Sequence, residues 1–344
     1  NNEICLKSHR KLYCSVLNKC SICKCKKIKN HVCYEQKFCK NCKKVVDDEH
    51  ECYIKSEEIK LNKFAGYIFF DYETYESKSH IPNLVIASIV CKDCLEEKYY
   101  SCDICNLLHF YKNDFCEWLL SKPYFIALAH NLRGYDGVFI MNYIIKNLLH
   151  TEQLPHCLVV GTKLFSISFR NVKIIDSYSF LSIPLSSFSK TFNINEIKKG
   201  FFPHKFNTLS NQNYIGDIPS REMYGYDDMS VKKRGEFEFF YEKAKNNQFN
   251  FKTEFYEYCY SDVRLLEAGC LAFRRIILDL TDNKIDPFRH SLTIASLSHK
   301  IFRTQMMLPN SLAVDEFVKK YNYSRKSIFW LDYIAQKHNI KIQH

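Results

Sequence analysis

Gly66-Tyr67-Ile68-Phe69-Phe70-Asp71-Tyr72-Glu73-Thr74 is the stretch whose reading decides the fold. It opens as an unbroken aromatic and β-branched run of strand length, the composition of a strand covered on both faces. It then carries two acids two residues apart. Residues i and i+2 of a strand project from one face, so Asp71 and Glu73 point together. Two carboxylates side by side in an apolar strand repel one another unless a cation or a polar solvent channel compensates them. A solvated strand end is the plain alternative, and the rest of the chain bears on the choice.

Downstream, residues 84–90 form an apolar strand, 110–120 a helix, 124–129 a buried strand and 137–149 a helix. Residues 158–169 and 172–177 read as a hairpin turned at Arg170-Asn171. Helices follow over 231–245 and 251–280, while the polar, turn-rich stretch 207–229 reads as a surface insertion. Alternating strands and helices predict an α/β domain with a mixed central sheet flanked by helices. Two more acids fall at element ends or faces. In His130-Asn131-Leu132-Arg133-Gly134-Tyr135-Asp136-Gly137 a strand stops at a polar turn, and Asp136 stands where a helix begins, a place that suits an acid without further purpose. In Tyr258-Cys259-Tyr260-Ser261-Asp262 the spacing of four puts Tyr258 and Asp262 on one helix face. Each motif is weak alone; their order and joint occurrence are specific.

The chain has 344 residues, a net charge of +11 and 17 cysteines. It is long enough to bury a full core, and no run of about 18 apolar residues is present to cross a membrane. It reads as soluble, intracellular and nuclear, with no membrane partner, and its start at Asn1 reads as a cut from a longer precursor. The first sixty residues hold 14 Lys and Arg against 8 Asp and Glu, a basic concentration that favours a polyanionic partner.

Thiols stay reduced inside cells, so many cysteines there point to metal ligands and core positions. Cys20-x2-Cys23-x7-His31-x-Cys33 recurs at a shift of 19 as Cys39-x2-Cys42-x7-His50-x-Cys52. Three thiolates and an imidazole per unit satisfy tetrahedral zinc with no open position. One ion per repeat in series and a cross-braced pair both fit. Cys91-x2-Cys94-x7-Cys102-x2-Cys105 has the spacing of a zinc knuckle inserted between strands, giving about three zinc ions in all.

Taken together, the three acidic motifs resemble the DEDD exonucleases with a tyrosine in the third motif, as found in family B DNA polymerases. The resemblance runs over residues 66–269. Finer detail is similar to the protein-primed branch, which includes phage, adenoviral and Polinton/Maverick transposon polymerases. It rests on His130-Asn131-x4-Asp136-Gly137, on Asp176-Ser177 and on Lys199-Gly200-Phe201-Phe202. The zinc-type cysteines look most like the transposon or related viral members.

This resemblance implies an RNase H-like exonuclease fold plus a small N-terminal zinc-binding module. It implies two Mg²⁺ or Mn²⁺ ions on Asp71, Glu73, Asp136 and Asp262, with Tyr258 orienting the attacking water. Lys199 would offset charge on the scissile phosphate, and Asn131 and Ser177 would position the frayed 3′ end of single-stranded DNA. A terminal priming protein is a further implied partner. The expected division is a zinc-finger-like module over 1–60, an exonuclease domain over 61–280 with the knuckle at 91–105, and the approach to a polymerase palm over 281–344. Met223-Tyr224-Gly225-Tyr226-Asp227-Asp228-Met229-Ser230 superficially resembles a palm motif, yet it precedes the third acidic motif and reads as turn and cap. No palm motif of the DxxSLYP or YxDTD type is present. A stand-alone DEDD exonuclease and a catalytically inactive zinc-finger nucleic-acid binder are the competing functions.

Overall fold

In the computed structural model, residues 36–39, 41–47, 50–60, 62–76, 80–96, 102–111, 114–148, 154–161, 163–194, 200–314 and 325–340 are described. They divide into a sheet unit, residues 57–305, and a second unit made of residues 1–56 and 306–344. Among the described residues no helix is long and apolar enough to cross a membrane.

The sheet unit is built on β1 (Gly66–Glu76), β2 (His80–Cys91), β3 (Leu107–Phe110), β4 (Phe125–Ala129), β5 (His156–Val160), β6 (Lys163–Phe169) and β7 (Val172–Asp176). They form one seven-stranded mixed sheet in the order β3-β2-β1-β4-β7-β6-β5. β1 pairs antiparallel with β2 and parallel with β4, and β4 pairs parallel with β7. Helices α1 (Asp114–Leu120) and α2 (Asp136–Asn147) cover one face, and α4 (Phe251–Leu280), which follows α3 (Val231–Ala244), covers the other.

Why β1 is apolar almost throughout follows from this layering. Ile68, Phe70 and Tyr72 pack among Phe115, Leu119, Ile140 and Ile144, whereas Tyr67 and Phe69 pack with Phe255, Cys259, Val263 and Leu266 of α4. Each such side chain stabilises the fold by roughly 1.5–3 kcal/mol on full burial. The alternation then fixes the acids: Asp71 and Glu73 continue the odd-numbered row, on the α4 side.

Several expectations are revised. Residues 158–169 are two strands, broken by the left-handed Gly161 (φ 62°), so the expected hairpin is a three-stranded meander. The expected helix over 110–120 starts only at Asp114, because residues 107–110 first pair with β2 as an edge strand. Residues 207–229 are no loose surface insertion. Asn207 is buried, its Nδ2 donates to Thr74 O at 2.9 Å, and its Oδ1 accepts from Asn83 Nδ2 at 2.9 Å. A small core of Tyr224, Phe237 and Tyr241 holds this segment on α3. Tyr226–Asp228 is a tight helical turn, and the Ser230 side chain caps α3, as turn and cap chemistry requires.

Residues 281–305 pack as part of the sheet unit. The Asp286 carboxylate accepts from the Tyr67 hydroxyl and, at 2.7 Å, from Arg274 Nε, and Phe288 packs edge-on against Tyr67. In the second unit, strands Gln36–Phe38 and Val45–Asp47 form a hairpin. Tyr53 bridges Ala313, and Ile54 N donates to Leu312 O at 2.9 Å.

Candidate active site and metal centres

β1 carries its acids immediately before a register shift between Glu73 and Thr74, where Thr74 comes to pair with Pro82 of β2. Bulges of this kind sharpen local twist and re-aim side chains. Facing that end of β1, α4 presents Phe255, Tyr258, Cys259, Asp262 and Leu266, all buried; this is the i, i+3, i+4, i+7 stripe of a helix. The Cys259 thiol and the carboxylate oxygens of Asp71 and Glu73 lie within 4.8 Å of one another. Burial, then the charges of Asp71, Glu73 and Asp262, push that thiol well up.

Asp136 enters from α2. It is 1% exposed, and its Oδ1 accepts the Tyr72 amide at 3.2 Å, which ties it to the strand between the other two acids. Burial first, and the charge of Asp71 next, hold its carboxyl well above the ordinary range. Beside it, burial pushes the Tyr135 phenol up to about 12, with Glu73, Asp136 and Asp71 adding to the effect, while a hydrogen bond from Thr74 Oγ1 opposes it. Four carboxylates from three separate stretches thus crowd one place, and their mutual repulsion is the electrostatic condition that a divalent cation relieves. A groove of about 510 Å³ lined by His80, Tyr135, Phe139, Tyr143 and Lys146 adjoins Tyr135.

Tyr258 is 7% exposed, its ring stacked on Phe202 at 5.4 Å and edge-on to His204 at 5.1 Å.

Two cysteine groups are assembled. Cys39, Cys42, His50 and Cys52 bring one ligand atom each to within 4.8 Å of the others, as do Cys91, Cys94, Cys102 and Cys105. The first of these is the complete second repeat, so that unit gathers its own four ligand-type residues. Backbone amides donate to the sulfurs: Cys94 N to Cys91 Sγ at 3.5 Å, and Ile104 N and Cys105 N to Cys102 Sγ, both at 3.4 Å. Such amides hold Cys102 down to about 7, and the Cys42 amide holds Cys39 down to about 6. One thiol in each group is thus poised to ionise beside oriented N–H donors, as a structural zinc site needs, while burial pushes Cys52 and Cys105 up as long as no cation shares the site.

The family model for DNA polymerase type B, organellar and viral, matches residues 119–340, well over half of the chain. The chain belongs to this polymerase family. A probable DNA polymerase of Neurospora intermedia is 30% identical over 198 residues, covering 53% of this chain and 20% of that protein. A DNA polymerase of Kluyveromyces lactis is 25% identical over 269 residues, covering 69% of this chain and 24% of that protein. Phi29 DNA polymerase complexed with single-stranded DNA is similar at 14% identity and a TM-score of 0.38, covering 62% of this chain and 32% of the other. The chain therefore spans about a fifth to a quarter of the length of these fungal polymerases.

Against this polymerase background the remaining expected site residues fall as follows. Cys20, Cys23, His31 and Cys33 lie outside the described residues, as does Lys199; Gly200, the residue after Lys199, lies near the Tyr258 ring. Asn131 is exposed at the turn after β4. Ser177 is fully buried and braces the turn: its hydroxyl donates to Ala129 O at 3.0 Å and pairs with His130 Nδ1 at 3.0 Å. Sequence reasoning gave no role to Tyr135, Thr74, Asn207 or Asp176. Only Asp176 carried a signal, its place before Ser177 at the end of a strand.

Proposed function

We propose that this chain is the 3′→5′ exonuclease portion of a protein-primed family B DNA polymerase of transposon or viral type, with an RNase H-like exonuclease fold. The observation that supports the reading is the convergence of Asp71, Glu73, Asp136 and Asp262 at one end of β1. The donor set is all hard oxygen apart from one neighbouring thiol, which suits Mg²⁺ or Mn²⁺. When bound, two such ions supply activation of water and neutralisation of charge at the leaving 3′ oxygen.

The protein's own groups do the rest. Tyr258 holds the attacking water by its hydroxyl, and its ring packing fixes where that hydroxyl sits. Asn131 binds the terminal nucleotide, and Lys199 counters charge on the phosphate. The groove of His80, Tyr135, Phe139 and Tyr143 offers rings on which unpaired bases stack without regard to sequence, with Lys146 for the backbone. A paired end must first leave its stack, at a cost of a few kcal/mol, so frayed ends are preferred. The two cysteine groups, with the first repeat, hold about three structural zinc ions.

The test is incubation of purified chain with 5′-labelled single-stranded DNA and Mg²⁺ or Mn²⁺. A ladder shortened from the 3′ end is expected, and Asp71→Ala removes it. Cleavage that persists unchanged in Asp71→Ala, or no cleavage by the wild-type chain with either metal, overturns the reading.

A further inference from the structure

The turn that carries Asn131 is held from two sides by residues outside the carboxylate cluster. Asn131 adopts the left-handed conformation (φ 69°), which only a few residue types tolerate. Asp176, fully buried, takes its backbone in hand: Asn131 N donates to Asp176 Oδ1 at 3.0 Å and Arg133 N to Oδ2 at 3.3 Å. The same carboxylate accepts Tyr178 N at 2.9 Å and faces Arg133 Nε at 3.7 Å. A buried acid with this set of partners is committed to the turn.

Gly134 governs the Asn131 side chain. A Cβ at position 134 would stand 2.9 Å from both Nδ2 and Oδ1 of Asn131. Gly134 is exposed and does not have a positive φ, so backbone conformation gives no reason for glycine there. The reason is room for the amide. A methyl group at 134 would collide with the free end of a flexible side chain, which moves aside at little cost in stability. It would nevertheless displace the amide.

We propose that Gly134 and Asp176 are positioning residues that together set the Asn131 amide for the 3′ end of a single strand, an inference that rests on the exonuclease reading. The experiment is a double-mutant cycle in the full chain with Gly134→Ala, Asn131→Ala and both together, with Asp176→Asn alongside. Four quantities are read: the melting midpoint, kcat and KM on single-stranded DNA, and Kd for a 5′-fluorescein tetranucleotide without added Mg²⁺ or Mn²⁺, which leaves structural zinc in place and cleavage unsupported.

Gly134→Ala should melt with the wild type, yet raise KM and Kd by about tenfold, the loss of one hydrogen bond to the ligand. In the Asn131→Ala background it should change neither. Asp176→Asn, which keeps an acceptor oxygen, should raise both by a smaller factor. Equal losses from Gly134→Ala in both backgrounds overturn the proposal, as does wild-type Kd for either Gly134→Ala or Asn131→Ala. If no variant and no wild-type chain cleaves, the exonuclease reading fails by itself, and the Kd cycle without added Mg²⁺ or Mn²⁺ still decides the positioning.

Discussion

Tyr258 has its ring buried and stacked on Phe202, so Phe in its place keeps that stack and removes only the hydroxyl. Tyr258→Phe is expected to lower kcat by about 10- to 100-fold with KM and melting midpoint unchanged, whereas Asp262→Ala leaves no measurable cleavage. Single-turnover kinetics check both. Lys173 gives a pH-dependent prediction. Burial, partly opposed by Asp286, lowers its amine from 10.5 to about 8, and its Nζ donates to Phe288 O at 3.3 Å. The folded chain then binds fewer protons than the unfolded chain between those values, so this residue's destabilising effect is full below about 8 and fades as pH rises toward 10.5. Lys173→Met should melt above the wild type at pH 7, with the gap closing by pH 10 in thermal scans; a gap constant across pH contradicts it. The carboxylates were legible in sequence because strand and helix periods assign faces. Asp176 and Gly134 were not, because they act across a turn whose closure joins the ends of two parallel strands far apart in sequence.

Among elements, α4 carries the longest apolar stripe and lies close against the Phe188 segment. A Cβ at Gly269 would meet Phe188 Cδ2 at 2.2 Å, and Phe188 is fully buried. Alanine gains about 1 kcal/mol of helix propensity at such a site, but overpacking a rigid ring costs about 1–3 kcal/mol. Gly269→Ala should therefore lower the melting midpoint, and Phe188→Leu in the same chain should restore part of it. The knuckle is a second element-scale case. Cys91 ends β2, and its amide donates to Cys105 Sγ at 3.1 Å beside the edge strand β3. Cys91→Ser should lose one zinc by metal analysis and melt well below the wild type. Cys116→Ser, in the core beside the Tyr72 hydroxyl, should keep its zinc and most of its stability. The long helices and the central strand were readable from periodicity. The edge strands were not, since 107–110 and 156–160 are short and half-exposed, and their pairing depends on a loop returning the chain to the sheet.

At the scale of the molecule, the proposed site would serve to shorten a strand, and among the described residues no second acidic group is gathered that would serve to lengthen one. With a labelled primer on a template and all four dNTPs, the purified chain should shorten the primer and never extend it; any product longer than the primer contradicts this. Family membership was legible from the order of three acidic motifs. The division into units was not, because the stretch after residue 305 clusters with the first 56 residues across the whole sheet unit. Glu57 N donates to Arg303 O at 3.0 Å, and the Glu57 carboxylate pairs with Lys300 and Arg303. The sheet unit thus clasps its own first and last residues together. On the ribosome, residues 1–56 emerge first but have to wait for their partners beyond 305. The clasp means that the finished sheet unit has already settled the closure entropy of everything between. Synthesis from one end therefore leaves Tyr53 and Ile54 without their partners Ala313 and Leu312 until the chain beyond 305 arrives.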